Sequence, residues 1–166
     1  MIRSKAKLMA ILALAGATVL SACGPRLTEQ ECLERAMYFE SNRSSRDGMI
    51  AVGSVVMNRV QSGEYPRDIC GVVGQKKQFA PGVLHKKMND RSVPMVREAA
   101  RSVIGGERHP YIQNAKFFHT YGYKANYNNL HYVLTAGGNA FYERRKPALV
   151  SQPTPLPPLE GVTSRW

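Results

Sequence analysis

Between Ser45 and Val60 the chain sets Met49, Ile50, Val52, Val55, Val56 and Val60 at helical spacing, making more than half of the helix circumference apolar. A surface helix keeps a narrower stripe and a polar back. The segment therefore predicts a core helix that other elements must surround. It can start at Ser44 or Ser45, and Asp47 stands three residues after Ser44 as the second half of a capping box. Gly63 followed by Pro66 ends it, and Gly53 in its middle predicts the close approach of a neighbour.

The helix before it is marked by Thr28 and Glu31, a Thr-x-x-Glu capping box that places the start near Glu29 and an acidic first turn at the positive end of the helix dipole. Leu33, Ala36 and Met37 form its inward stripe, and the next position in that series is Glu40. Glu29, Glu31 and Glu34 have surface roles as capping, dipole and i,i+4 partners. Glu40 falls instead at the C-terminal end, where the dipole disfavours negative charge, and beside Met37, Tyr38 and Phe39, whose burial disfavours it further. A carboxyl kept protonated near neutral pH is what general acid catalysis requires. The other reading is a helix-end ion pair of Glu40 with Arg43 or Arg59, and both stay open.

CLERAMYFES at 32–41 and DGMIAVGSVVMNRV at 47–60 are followed by CGVV at Cys70 to Val73, QFAPG at Gln78 to Gly82, KFFHT at Lys116 to Thr120 and GGNAFYER at Gly137 to Arg144. In this order the motifs resemble those of the SleB/CwlJ-type cell wall hydrolases, over Leu27 to Arg145. The resemblance implies a lysozyme-like fold related to lytic transglycosylases, the peptidoglycan glycan strand as substrate, and Glu40 as the catalytic acid. The family commonly carries Glu-Ala-Arg-Gly-Glu where this chain has Glu40-Ser41-Asn42-Arg43-Ser44. Ser44 thus replaces a second glutamate, which counts against a two-carboxylate mechanism and leaves a single-glutamate one intact.

Residues 1–22 read as a lipoprotein signal peptide: Arg3, Lys5 and Lys7, an apolar run from Leu8 to Leu20, then Leu20-Ser21-Ala22-Cys23, a lipobox in which Cys23 receives lipid. The alternative is an ordinary secretory signal with Cys23 left free. Gly24 after the cysteine resembles the outer-membrane sorting pattern. Cleavage before Cys23 leaves 144 of the 166 residues and removes three basic side chains, so the formal charge falls from +11 to +8. Such a surface expects acidic partners, here stem-peptide carboxylates or anionic lipid headgroups. Lys76-Lys77, Lys86-Lys87 and Arg144-Arg145-Lys146 lack the aromatic interleaving of a nucleic-acid surface, and none is expected as a partner. Cys32 and Cys70 remain as an even pair in an oxidising compartment and predict a disulfide that clamps the Glu40 helix.

The remaining chain divides into 23–146, the catalytic domain, and 147–166, whose Pro147, Pro153, Pro155, Pro157 and Pro158 suggest a disordered or polyproline-like tail. Glu64 to Asn89 is broken by Pro and Gly and reads as loop. On it Gln78 and Phe79 are candidates for the saccharide groove, an amide for hydroxyl or N-acetyl groups beside a ring that stacks on a sugar face. Phe79 as a core anchor is the alternative. Ser92 to Ile104 returns to helical spacing, Ala115 to Thr120 suggests a strand ending at His119, and His131 to Leu134 with Asn139 to Tyr142 suggest a hairpin through Gly137-Gly138.

His119 can orient substrate or satisfy a strand-end hydrogen bond. The four histidines raise a zinc amidase, but none has the His-x-x-x-His or His-Glu-x-x-His spacing, and no Gly-x-Ser-x-Gly elbow supports a serine hydrolase. No metal or cofactor is expected. The fold expected is a mainly helical α+β domain, lysozyme-like, with a small antiparallel sheet, acting as a monomer. Glu40 would cleave between N-acetylmuramic acid and N-acetylglucosamine. The changed Ser41 to Ser44 segment motivates an alternative of another class, a non-catalytic peptidoglycan-binding lipoprotein.

Overall fold

The computed structural model describes residues 26–43 and 45–163; the leader with Cys23, Ser44 and Trp166 lie outside the described residues. In chain order the elements are α1 (Glu29–Glu40), α2 (Arg46–Ser62), α3 (Ile69–Val73), α4 (Val93–Ile104), β1 (Phe117–Thr120), β2 (Leu130–Ala136) and β3 (Asn139–Arg144). The strands form an antiparallel sheet in the order β1-β3-β2. This is the mainly helical α+β arrangement the sequence predicts.

The helix marked as buried is the centre: every residue of α2 from Asp47 to Val56 is buried, and α1, α3, α4 and β2 all pack on it. A Cβ at Gly53 would collide with the Met37 terminus and press on Val103, so this glycine lets α1 and α4 close on α2. Gly48 and Gly137 pass backbone to backbone with no room for a Cβ on either, which seats the β2–β3 turn on the first turn of α2. Of the two starts the sequence allows, the helix uses Ser45, whose hydroxyl accepts the Gly48 N–H at 2.9 Å. Gly63, left-handed at φ 74°, caps the other end.

In α1 the capping box forms as read, with Thr28 and Glu31 exchanging bonds of 2.8 and 3.2 Å. Cys32, Leu33, Ala36 and Met37 turn inward without exposure. The surface role read for Glu34 is corrected: it is 4% exposed, accepting from Gln30 Nε2 at 2.8 Å and facing Arg97 of α4 at 3.9 Å. Glu29 also reaches further than its own helix, taking the Ile69 N–H at 2.6 Å.

Ile69 opens α3, a short helix inside the stretch read as loop, capped by Asp68 through the Gly71 N–H at 2.6 Å. Cys32 and Cys70 are joined across α1 and α3 with Cα atoms 5.2 Å apart, closing 38 residues. On the loop-entropy model a bridge of that span contributes about 3–4 kcal/mol. Cys32→Ser or Cys70→Ser is expected to lose that amount in urea unfolding. An unchanged unfolding midpoint would contradict a bridge in the native protein.

Residues 147–163, assigned from their prolines to a disordered or polyproline-like tail, are seated along β2. The Tyr132 N–H bonds Gln152 O at 2.9 Å and the Leu159 N–H bonds Thr135 O at 2.8 Å. Prolines lack the N–H for a continuous ladder, so the segment covers the free edge of β2 with scattered bonds. Beyond it, Asp47 collects the N–H groups of Gly161, Val162 at 3.2 Å and Thr163 at 2.7 Å. Glu160 accepts from Gly137 N–H at 2.7 Å and from the Ser45 hydroxyl. The capping-box role read for Asp47 is therefore corrected: its carboxylate anchors the tail. Among the described residues, no helix is long and apolar enough to cross a membrane.

Candidate active site

Glu40 is the last residue of α1, whose final turn holds no basic side chain, and it opens on a cavity of about 460 Å³ between the helices and the sheet. Three long-range bonds fix this corner. Asn139, the first residue of β3, donates Nδ2–H to the Glu40 carbonyl at 2.6 Å, and the Asn42 N–H donates to Gly137 O at 2.8 Å. The loop after α3 returns to place the Ala80 N–H on Glu40 Oε1. The carboxyl is half-buried, and burial raises it above the ordinary carboxylate range. The Ala80 bond and the charges of Arg59 and Lys86 pull the other way without cancelling the effect.

Neither ion-pair alternative is made. Arg43 pairs with Asp90 at 3.1 Å, and Arg59 gives Nε–H to Lys116 O at 2.8 Å. Among the described residues no ion pair joins Glu40 to either arginine. What remains is a carboxyl raised by burial above its ordinary range, open to a groove and held by the backbone.

The groove draws on every layer. Gln78 stands in the wall of this cavity. Phe79 does not: at 8% exposure it belongs to the core, 6.4 Å from the Phe118 ring and under the Arg59 guanidinium, so the core-anchor reading is the one that fits its place. The aromatic surface comes instead from Phe39 and Phe118, with Tyr123 at the mouth. Phe118 lies in the KFFHT strand beside His119, but β-alternation alone did not say which of Phe117 and Phe118 faces the groove.

His119 lines the cavity with both ring nitrogens engaged, Nδ1 against Thr120 O at 2.9 Å and Nε2 against the Tyr132 hydroxyl at 2.7 Å. Nδ1 faces a carbonyl and must carry the proton, leaving Nε2 to accept from Tyr132. The strand-end bond is thus made, and the ring's contact with the groove is through its edge and face. The other histidines lie apart, His109 behind α2, His131 on β2 and His85 in an exposed loop. Among the described residues no group of three His, Cys, Asp or Glu gathers as a metal site.

A helical core with a small sheet laid across the end of its acid-bearing helix defines the lysozyme-like α+β class. Within it, the chain belongs to the cell wall hydrolase family, described as Cell Wall Hydrolase, which matches residues 43–142. The match begins just after Glu40, so the role of that residue rests on geometry. Two solved structures share the fold. One is the catalytic domain of the germination-specific lytic transglycosylase SleB from Bacillus anthracis, 22% identical, covering 73% of this chain and 98% of that one at a TM-score of 0.58. The other is the catalytic domain of the Bacillus cereus SleB protein, 21% identical, covering 77% and 99% at 0.59. No curated protein matches the chain.

Proposed function

We propose that this protein cleaves the peptidoglycan glycan strand between N-acetylmuramic acid and N-acetylglucosamine, with Glu40 as its one catalytic carboxyl, and leaves a 1,6-anhydro end. The observation that carries the reading is Glu40 itself: raised by burial and standing as the single carboxylate among the described residues that line the cavity. Protonated Glu40 gives its proton to the glycosidic oxygen as the bond from that oxygen to the muramyl C1 breaks. The carboxylate so formed takes the proton of the muramyl 6-hydroxyl while O6 bonds to C1. The acid is regenerated and no water is consumed.

Hydrolysis asks for more. A second carboxyl at roughly 5–10 Å activates water or bonds the sugar. Ser44 stands at the position where the family carries a glutamate, and Asp47, the other acid of this segment, is occupied by the tail. Phe39 and Phe118 offer sugar-stacking faces, and Gln78 and Asn139 amides suited to hydroxyl and N-acetyl groups. Purified sacculi incubated with the mature domain should release muropeptides whose muramyl ends resist borohydride reduction. Reducible ends alone would make it a hydrolase, and sacculi bound without release would make it a wall-binding protein.

The leader supports a place on the periplasmic side of the cell envelope, in the outer membrane, through lipidated Cys23. Growth on labelled palmitate should mark the native chain and not Cys23→Ser; equal labelling of both would exclude the anchor. The same reading divides the chain into a signal peptide at 1–22, the catalytic domain at 23–146 and the tail, and expects a monomer.

A further inference from the structure

Arg59 carries its charge into the core of the fold. It projects from α2 and is 3% exposed, its guanidinium 5.2 Å from the ring centres of both Tyr65 and Phe79. Nε–H is used on Lys116 O, but Nη1 is buried with no hydrogen-bond partner. A buried cation with an unmet donor is costly, and a neutral side chain could fill the same slot between two rings. Arg59 also forms part of the wall of the Glu40 cavity.

Of the other groups that face Glu40, Lys86 acts on it from an exposed loop, its Nζ 5.8 Å from the Phe39 ring centre and open to solvent. His119 and Tyr123 line the same space from the sheet side. Tyr65 and Tyr142 face Arg59 rather than Glu40. Arg59 is therefore the cation fixed in place and shielded from water beside this carboxyl, and its charge and that of Glu40 act on each other.

We infer that Arg59 is a positioning residue for the second half of the reaction: its fixed charge holds Glu40 as a carboxylate once the proton has gone to the leaving sugar, so that the same group can serve as base on the 6-hydroxyl. This rests on the reading of Glu40 as the acid. Burial favours the protonated carboxyl and Arg59 favours the ionised one, and the balance lets one residue donate and then accept. Without Arg59 only the Ala80 N–H and the solvated charge of Lys86 oppose burial, so the carboxylate left by proton donation is less stabilised and the catalytic cycle slows.

The test is the titration of the Glu40 carboxyl carbon by NMR, read beside the pH profile of sacculus digestion, in wild type, Arg59→Gln and Arg59→Lys. Arg59→Gln should move the Glu40 titration upward by about one pH unit, since removing a nearby opposite charge has effects of that order. Turnover near neutral pH should fall roughly tenfold or more. Arg59→Lys keeps the charge and should hold the titration near the wild-type position. A purely structural Arg59 would lower activity in both variants and leave the Glu40 titration in place, which overturns the proposal.

Should Arg59→Gln fail to fold, Arg59→Met, which keeps the stem between the two rings, carries the same expectation; failure of both to fold would make Arg59 a scaffold residue and equally overturn it. The reading of Glu40 fails separately, if Glu40→Gln still digests sacculi, whatever Arg59 does.

Discussion

Glu40→Gln is expected to lose at least about 10²–10⁴-fold in muropeptide release, the range that a positioned general acid supplies. The effect should fall on turnover and not on binding to sacculi, because the amide keeps the size of the carboxyl and its oxygen can still accept the Ala80 N–H. Folding should not suffer. A neutral amide in a half-buried site avoids the desolvation that raises the Glu40 carboxyl, so the thermal midpoint should stay level or rise. Glu34→Gln is the internal control: Glu34 is also acidic and buried on α1, but α4 covers it away from the groove. Release within tenfold of wild type by Glu40→Gln would remove the residue from the chemistry.

The largest effect on stability is expected at Asp47→Ala. Asp47 is 2% exposed, collects three tail N–H groups, and stands 3.5 Å from the Nε2 of His109, itself buried. Removing the carboxylate takes the acceptor from this buried cluster, at about 1–3 kcal/mol for each donor left unsatisfied. Urea unfolding should show that loss. Proteolysis should also begin in the freed segment after Val150, because residues 160–163 are held through this carboxylate and Glu160.

The cluster is sensitive to acid for a reason that can be signed. Burial pushes His109 below its usual 6.5 against the pull of Asp47. Burial penalises the Asp47 charge as well, but the Thr163 and Gly161 bonds outweigh that and hold its carboxyl below the usual 3.8. For both groups the unfolded chain binds the more protons, so stability rises with pH and is lost on acidification. The His109 share starts to go below pH 6.5, and the Asp47 share below its ordinary carboxylate range. Unfolding midpoints that do not fall from pH 7 to pH 5 would contradict a buried neutral His109.

The helical layer could be read from local rules because its determinants are local. The Thr28–Glu31 box, the apolar circumference of α2, Pro94 ahead of the α4 stripe and Gly137-Gly138 between two strands each act over a few residues. Glu40 was legible for the same reason, as a carboxylate in phase with Leu33 and Met37. What escaped depends on chain that meets at long range. Asp47 looked like a cap because its true partners lie more than a hundred positions later. The tail looked unstructured because prolines remove ladder donors, while the edge of β2, the Asp47 carboxylate of α2 and the tail's own Glu160 on Gly137 supply what holds it. Phe79 stayed open between groove and core, and Phe118 had no role assigned, because composition names a ring and only packing gives its direction. Arg59 could be read only as an ion-pair alternative for Glu40, because its burial depends on Tyr65 and Phe79 closing on it.

The most direct measurement of the central claim is digestion of sacculi in water carrying a heavy oxygen isotope, with the released muropeptides weighed beside those from Glu40→Gln. A single-carboxyl transglycosylase gives products that contain no label at the muramyl C1 and are lighter by one water than hydrolytic ends, and Glu40→Gln gives none. Labelled C1 would show that water is the nucleophile and that a second group, outside the residues assigned here, activates it.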